Sequence, residues 1–125
     1  MSLSLTKKDV RAKLQEPVGK RVKFNFPDDR DNKRGHLRER VIVRSGWHAD
    51  GNKVGAVYWD VVDLIEFPHK GNPRQWVRIG YYRQVVDKLR WASQTTITEP
   101  LHQMKRIFAQ AAKQKKWFRD LLPPA

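Results

Sequence analysis

Hydrophobic residues change their spacing along the chain, and each change predicts a boundary between elements. Near the start, Val10 and Leu14 lie one helical turn apart, and Thr6 precedes Asp9 at the spacing of a capping box. In a capping box, each of the two side chains accepts a hydrogen bond from the other residue's backbone N–H. The pattern predicts a short helix over residues 6–16, because a proline and a glycine follow it closely.

From Lys20 onward, apolar and polar residues alternate with the two-residue period that is typical of half-buried strands. The alternating runs cover residues 20–26, 37–45, 54–67, 76–86 and, less regularly, 88–98. Turn-forming sequences occur between them, with Asp-Gly-Asn at residues 50–52 and a segment rich in Gly, Pro and Asn at residues 68–73. Strands joined by short turns pair in antiparallel fashion. Residues 20–98 are therefore predicted to form an antiparallel sheet of four or five strands, curled or barrel-like.

Helical spacing returns at the end of the chain. Thr98 is predicted to cap a helix whose first turn contains Glu99 and Pro100, positions where an acidic residue and a proline are both favourable. This long C-terminal helix covers residues 99–122 and has one broad apolar side. The apolar side consists of Leu101, Met104, Ile107, Phe108, Ala111, Phe118, Leu121 and Leu122. The chain is therefore predicted to be an α+β protein with a single domain over residues 1–125.

The charge of the chain adds a constraint on its partners. The 125 residues contain 26 Lys and Arg but only 13 Asp and Glu, which gives a formal net charge of +13. Hydrophobic residues make up 39% and aromatic residues 10%, which is too much apolar material for a disordered basic tail. A folded domain with so large a positive surplus repels itself, which indicates an anionic partner. Nucleic acid, either DNA or RNA, is the first expectation, and an acidic protein surface is the second.

Several classes of protein are not expected. The chain has no cysteine, which excludes disulfides, thiolate nucleophiles and cysteine-bound zinc. No apolar run reaches the roughly 18–20 residues that a membrane span needs. The first residues lack a long apolar stretch with a cleavage site, so we expect no secretory signal and a cytoplasmic location. The four histidines have no recognisable ligand spacing, so neither a metal nor a cofactor is expected.

The C-terminal helix carries the first group of candidate phosphate-binding residues. Opposite its apolar side lie Lys105, Arg106, Lys113 and Lys116. Trp117 lies at the edge of this cationic side, where it is a candidate for stacking on a base. The alternative interpretation is a solvated helix face, in which the lysines only favour the C-terminal end of the helix dipole.

The polar face of the predicted sheet carries the second group. Alternation places the arginines and aromatic residues Arg38, Arg40, Arg44, Tyr58, Trp76, Arg78 and Tyr82 on this face. Aromatic rings that stack on bases, interleaved with arginines that contact phosphates, are typical of sheets that bind single strands. The alternative interpretation is ion pairing within the sheet, for example between Glu66 and Arg78.

The third predicted strand carries three carboxylates, the side chains that commonly bind Mg²⁺. In a strand, Asp63 points away from Asp60 and Glu66, so the three cannot converge on one ion. Further along, residues 77–83, with the sequence Val-Arg-Ile-Gly-Tyr-Tyr-Arg, resemble a strand of the RelE-type ribonuclease toxins. Those toxins are small basic proteins that cut messenger RNA, so the resemblance implies a small ribonuclease. It assigns no catalytic residue.

These observations favour a small basic module that binds nucleic acid through phosphates, without strong sequence specificity and without catalysis. Sequence specificity is not expected because the chain has no recognition-helix or zinc-finger pattern. The alternative is a protein-interaction or oligomeric assembly domain, with Trp47, Trp117 or the C-terminal helix in a subunit interface. A small ribonuclease is the third expectation.

Overall fold

The computed structural model describes residues 5–23, 34–45, 56–67, 75–92 and 97–121. The elements are α1 (Lys7–Gln15), β1 (Arg21–Lys23), β2 (Arg34–Ser45), β3 (Ala56–Glu66), β4 (Gln75–Val85), β5 (Lys88–Trp91), α2 (Leu101–Gln114) and α3 (Lys116–Arg119). The five strands form one antiparallel sheet in the order β1-β2-β3-β4-β5, so each strand lies beside its neighbour in sequence. This order confirms the predicted α+β class, the antiparallel meander and the short N-terminal helix.

Some predictions concern residues that the structure does not describe. The turns predicted at residues 50–52 and 68–73, and Trp47, lie outside the described residues. Among the helices that are described, none is both long and apolar enough to cross a membrane.

The capping box of α1 is present. The Thr6 hydroxyl accepts from the Asp9 backbone N–H at 3.0 Å, and the Asp9 carboxylate accepts from the Thr6 backbone N–H at 3.1 Å. The bond from the Thr6 backbone lowers the pKa of Asp9, because it favours the ionised carboxylate. After the helix, Gly19 adopts a φ of 90° and its N–H donates to the carbonyl of Leu37 at 2.6 Å. A glycine tolerates this left-handed backbone conformation without steric cost.

Backbone contacts divide the chain into two compact units. Unit 1 comprises Met1–Leu5, Val41–Val62 and Ile79–Ala125, whereas unit 2 comprises Thr6–Arg40 and Asp63–Arg78. Each unit has its own hydrophobic cluster, and the two are described separately below. A single domain over residues 1–125 stays a prediction.

In unit 2, strands and the segment after α1 share a small apolar cluster. Leu37, Ile65 and Phe67 are buried, and Val18 and Val22 pack against them. A Cβ atom on the glycine at position 35 would lie 2.7 Å from an Ile65 methyl group, so only glycine fits at this point of β2. The helix α1 buries Val10 and Leu14, as its spacing predicts.

In unit 1, α2 and α3 contribute to the larger core. The buried members of this core are Val41, Val43, Val62, Ile107, Ala111 and Phe118. Ile79, Met104 and Trp117 are partly buried and pack against them. The apolar side of the C-terminal helix therefore provides much of the core of this unit.

The side-chain alternation of β2 shifts by one residue, which the sequence pattern does not show. Leu37 packs with Ile65, and Arg40 bonds to Asp63. Ile65 and Asp63 are two residues apart on β3, so their side chains point to the same face. Their partners Leu37 and Arg40 are three residues apart on β2, and a regular strand would place these two side chains on opposite faces. An extra residue between Leu37 and Arg40, as in a β-bulge, accounts for this arrangement. Arg40 therefore points into unit 2, and its placement on the polar face with Arg38 was wrong.

The prediction of one long C-terminal helix over residues 99–122 was also wrong. Lys115 separates α2 from α3 with an extended backbone, at φ −129° and ψ 118°. The carbonyl of Ala112, near the end of α2, accepts a hydrogen bond from the Arg119 side chain at 3.1 Å. At the other end, Pro100 occupies the N-cap position instead of Thr98, and no side chain of the described residues caps α2.

Candidate nucleic-acid interface

Exposed charges in the described part of the chain are mostly positive. The exposed carboxylates there are those of Asp9, Glu16 and Asp120. The exposed cations are Lys7, Lys8, Arg11, Lys13, Lys20, Arg21, Arg38, Lys88, Arg90, Lys105, Arg106, Lys113, Lys116 and Arg119. Asp60 and Asp63 are fully buried. The described surface is therefore more basic than the composition alone indicates, because carboxylates are withdrawn into the interior.

Two of the predicted phosphate-binding arginines belong to a buried ion-pair network in unit 2. Arg40 donates to Asp63 from Nε at 2.7 Å and from Nη2 at 3.0 Å, and its Nη1 donates to the Leu14 carbonyl at 2.8 Å. Arg78 donates to the same carboxylate from Nη2 at 2.9 Å. The Arg40 side chain is only 1% exposed, so it is a structural residue and not a ligand for phosphate.

A third arginine of the sheet is paired at the surface of the same unit. Arg38 Nη2 lies 3.2 Å from Glu66 Oε1, and the Arg38 side chain remains largely exposed. The sequence suggested Arg78 as the partner of Glu66, but the structure pairs Arg78 with Asp63 and Glu66 with Arg38. Because Arg38 is exposed, its donors are accessible to a further anion.

The aromatic residues of the sheet do not share one face. In unit 1, Tyr58 packs against Tyr81 with ring centroids 5.3 Å apart, whereas Tyr82 packs against Trp91 at 4.9 Å. Tyr81 and Tyr82 are consecutive in β4, so they point to opposite sides of the sheet. In unit 2, Trp76 packs edge-on against a phenylalanine, with centroids 6.1 Å apart. The predicted stacking platform therefore does not form as one surface.

Arg44 lies on one of these aromatic faces of unit 1. Its guanidinium carbon is 6.0 Å from the centre of the Trp59 ring, within the range of a cation–π contact. Arg44 is half-buried. Its carbonyl oxygen accepts a hydrogen bond from Arg106 on α2 at 3.0 Å, so Arg106 also holds the start of α2 to β2.

The remaining cations of the C-terminal helical segment differ in their ion pairing. Lys105 and Lys113 are exposed and form no ion pair with any residue that the structure describes. Lys116 lies 2.7 Å from the Asp120 carboxylate, one turn further on. Trp117 is held against the core of unit 1, with its ring 6.1 Å from that of Phe118, and its buried Nε1 has no hydrogen-bond partner among described residues. Lys105 and Lys113 are thus the most available cations of this group.

Unit 1 also contains a buried polar cluster that the sequence does not reveal. The Asp60 carboxylate accepts from the Gln103 side chain at 3.2 Å, and it lies beside the carboxyl group of Glu99. Glu99 in turn accepts from the Ser45 hydroxyl at 2.9 Å. Burial, together with the neighbouring Glu99, raises the pKa of Asp60 to about 8, so Asp60 is protonated at neutral pH. A carboxylic acid in this state can donate a hydrogen bond to Glu99.

Asp60 and Asp63 are three residues apart in β3, so their side chains point to opposite faces of that strand. Over the described ranges, no group of three or more His, Asp or Glu residues is placed to hold a metal ion. Nothing in the spacing of Asp60 and Glu99, 39 positions apart in sequence, predicts that they meet. Their proximity depends on how α2 packs on the sheet.

The segment that resembles RelE-type toxins, residues 77–83, lies within β4 and follows one helix and three strands. No protein-family model matches the chain, and neither a curated protein nor a solved structure matches it.

Proposed function

We propose that this protein is a nucleic-acid-binding module that contacts phosphates without strong sequence specificity and without catalysis. The observation that supports this proposal is the sign of the exposed charges. In the described part of the chain, Asp60 and Asp63 are buried and only Asp9, Glu16 and Asp120 are exposed carboxylates, whereas most lysines and arginines remain exposed. A surface of this kind binds a polyanion because the contacts release counterions that are condensed around the polyanion.

In each unit, several of the exposed cations lie on a helix. In unit 2, Lys7, Lys8 and Arg11 lie on the exposed part of α1, away from the buried Val10. In unit 1, Lys113 lies two helical turns after Arg106, which is about 10 Å along the axis of α2. Rows of cations at this spacing suit a phosphate backbone, in which negative charges also recur at short regular intervals.

The proposed interface differs from the set that the sequence suggests. Arg40 is left out because it is buried, and Arg78 contributes less because Asp63 partly neutralises it. Trp117 is left out because its ring packs against the core of unit 1. Arg38, Arg44, Tyr82, Lys105, Arg106, Lys113 and Lys116 remain in the proposal.

A binding titration across salt concentrations tests the proposal. The probes are fluorescently labelled single- and double-stranded DNA and RNA of one sequence, because phosphate contacts are available in all of them. If about four cations displace counterions, affinity for duplex DNA falls about 10²–10³-fold between about 50 and about 200 mM salt. An affinity that does not change with salt would contradict phosphate contacts as the source of binding. The RNA probe stays intact during the measurement if the module is not a ribonuclease.

Two pairs of variants locate the contacts. Lys7→Glu with Lys8→Glu reverses charge on α1, and Lys113→Glu reverses it on α2, at side chains that are all exposed. The matched controls replace the same lysines with arginine, which keeps the charge. We expect the glutamate variants to lose affinity and salt dependence while the arginine variants keep both. Equal affinity of the glutamate and arginine variants at both helices would exclude these helices as the interface.

A further inference from the structure

The helix α2 has a second apolar edge in addition to the one that enters the core. Ile107 and Ala111 are fully buried in unit 1, but Leu101 is 72% exposed and Phe108 is 39% exposed. Leu101, Lys105, Phe108 and Ala112 follow one another at intervals of four, three and four residues. This spacing places them in one line along the helix, over three turns or about 16 Å. We refer to these four residues as the Phe108 stripe.

The helix α3 fixes the far end of the Phe108 stripe. The Phe108 ring meets the ring of the buried Phe118 edge-on, with centroids 5.5 Å apart, so its position is set by the core. The Arg119 guanidinium donates to the carbonyl of Ala112 at 3.1 Å, which places a cation at the C-terminal end of the stripe. Lys105 places a second cation near its middle. In the turn after α3, Leu121 is also exposed, at 57%.

The stripe therefore combines exposed apolar side chains with positive charge. Exposed large apolar residues in a line along a helix are typical of a surface that receives the apolar edge of another helix. The carboxylate of Asp120, close to Arg119 in sequence, is bonded to Lys116. Lys105 has no carboxylate partner in the described part of the chain, and Arg119 bonds to a backbone carbonyl. Carboxylates on an occupant of the stripe would therefore complement these two cations.

We propose that the Phe108 stripe docks an amphipathic helical segment of another protein, in which acidic residues flank the apolar ones. Apolar side chains of the segment would contact Leu101 and Phe108, and its carboxylates would pair with Lys105 and Arg119. This proposal goes beyond the binding of nucleic acid, because a phosphate backbone offers nothing to cover exposed leucine and phenylalanine side chains.

A second copy of this chain fits the stripe less well. In a twofold arrangement the same stripe lies on both sides of the interface, so Lys105 and Arg119 would face other cations. Each copy also carries a formal net charge of +13, which opposes association. An anionic bilayer fits less well too, because it requires a broad apolar helix face, and the broad face of α2 is already used by Ile107 and Ala111.

The test uses the full chain and a synthetic helical peptide of about 16 residues, the length of the stripe with one extra turn. The peptide has leucine at positions that match the stripe and glutamate beside them, and a second peptide has lysine in place of glutamate. Binding is measured by isothermal titration calorimetry. We expect the acidic peptide to bind and the basic peptide not to bind. No saturable binding of the acidic peptide at about 1 mM, or equal binding of both peptides, would overturn the proposal.

Two variants with the same added charge distinguish docking on the stripe from nonspecific electrostatic attraction between the acidic peptide and the basic protein. Leu101→Glu places a carboxylate on the stripe, and Gln114→Glu adds the same charge at an exposed position on the far side of α2. Both positions are exposed, so both variants are expected to fold, which circular dichroism verifies. We expect Leu101→Glu to weaken binding of the acidic peptide about tenfold or more and Gln114→Glu to have a much smaller effect. Equal losses in the two variants would overturn the proposal.

The other occupants are tested with the same variants. Vesicles of phosphatidylcholine and phosphatidylserine replace the peptide in a sedimentation assay, and analytical ultracentrifugation measures self-association. Vesicle binding that Leu101→Glu abolishes, without binding of the acidic peptide, would assign the stripe to a membrane surface. Self-association that Leu101→Glu abolishes would assign it to a second copy. Either result overturns the proposal, and neither bears on the salt dependence of nucleic-acid binding.

Discussion

Arg40 donates to both carboxylate oxygens of Asp63, through Nε at 2.7 Å and Nη2 at 3.0 Å, in the interior of unit 2. Both side chains are almost completely removed from solvent. Arg78 donates to the same carboxylate, and Arg40 also donates to a backbone carbonyl of α1. The network therefore joins α1, β2, β3 and β4 within this unit, and its charges have little access to water.

Removing the charge of Asp63 is expected to destabilise the protein strongly. The substitution Asp63→Asn keeps the shape of the side chain but leaves the Arg40 guanidinium buried without its counter-charge. Breaking a buried pair in this way costs about 3–5 kcal/mol. Urea unfolding, followed by tryptophan fluorescence, measures the change in the free energy of unfolding.

The matched control for Asp63→Asn is Glu66→Gln, which removes the same charge from the surface pair with Arg38. Water screens this pair, so its loss costs about 1 kcal/mol or less. Similar losses in the two variants would show that Asp63 is not the centre of a buried network.

The stability of the protein is expected to fall as pH rises toward 8. The pKa of Asp60 is about 8 in the folded protein, compared with 3.8 for an ordinary aspartate. Between these two pH values, the folded state binds a proton at Asp60 that the unfolded state does not bind. Rising pH therefore favours unfolding across this window, and the contribution of Asp60 becomes constant above it.

The variant Asp60→Asn isolates this contribution. Its amide can donate to Glu99 as the protonated acid does, but it does not titrate. We expect wild type to lose stability relative to Asp60→Asn as pH rises from about 4 to about 8, because other titrating groups are common to both proteins. Urea unfolding at several pH values measures the difference. Parallel stability curves for the two proteins would show that Asp60 has an ordinary pKa.

The elements that depend on local interactions could be predicted from the sequence. The capping box of α1 needs only Thr6 and Asp9, which are three residues apart, and it forms as expected. The sheet order follows from alternating runs separated by short connections. The break at Lys115 could not be predicted in this way, because neither a glycine nor a proline marks the position. It is accompanied by a tertiary contact from Arg119 to Ala112.

The candidate site was harder to predict than the fold, because it depends on which cations remain exposed. Alternation assigned Arg40 to the polar face, and the one-residue shift in β2 moves it to the buried one. The number of exposed carboxylates also depends on packing, since Asp60 and Asp63 are buried by contacts with residues distant in sequence. Lys105 and Lys113 are both exposed, but Lys105 lies in line with Leu101 and Phe108 on α2 and not opposite them as expected from the sequence.

A strained turn between β4 and β5 offers a stabilising substitution. Val86 adopts a φ of 54°, which is unfavourable for a β-branched residue, and its side chain is 69% exposed. Turns of two residues with positive φ at the first central position favour glycine there. We expect Val86→Gly to raise the free energy of unfolding by about 0.5–1 kcal/mol, measured by thermal and urea unfolding.

The reverse substitution at Gly19 is the control for this backbone effect. Gly19 has a φ of 90°, and a Cβ atom there would meet no other atom within 4 Å. Gly19→Ala is therefore expected to destabilise the protein by about 1 kcal/mol through backbone conformation alone. A loss of stability in Val86→Gly would show that the valine side chain contributes more by packing than its backbone costs.

The last prediction concerns Trp117, for which stacking on a base was the first interpretation. The ring packs against the core of unit 1, and its buried Nε1 has no hydrogen-bond partner among described residues. Trp117→Phe removes this unpaired donor and keeps an aromatic ring in the core, so affinity for nucleic acid is expected to change less than twofold, within about 0.4 kcal/mol. If Trp117 stacks on a base instead, the same substitution removes part of a contact worth about 1–3 kcal/mol. Fluorescence anisotropy with single-stranded RNA distinguishes the two outcomes. A loss of affinity of about tenfold would show that Trp117 belongs to the nucleic-acid interface.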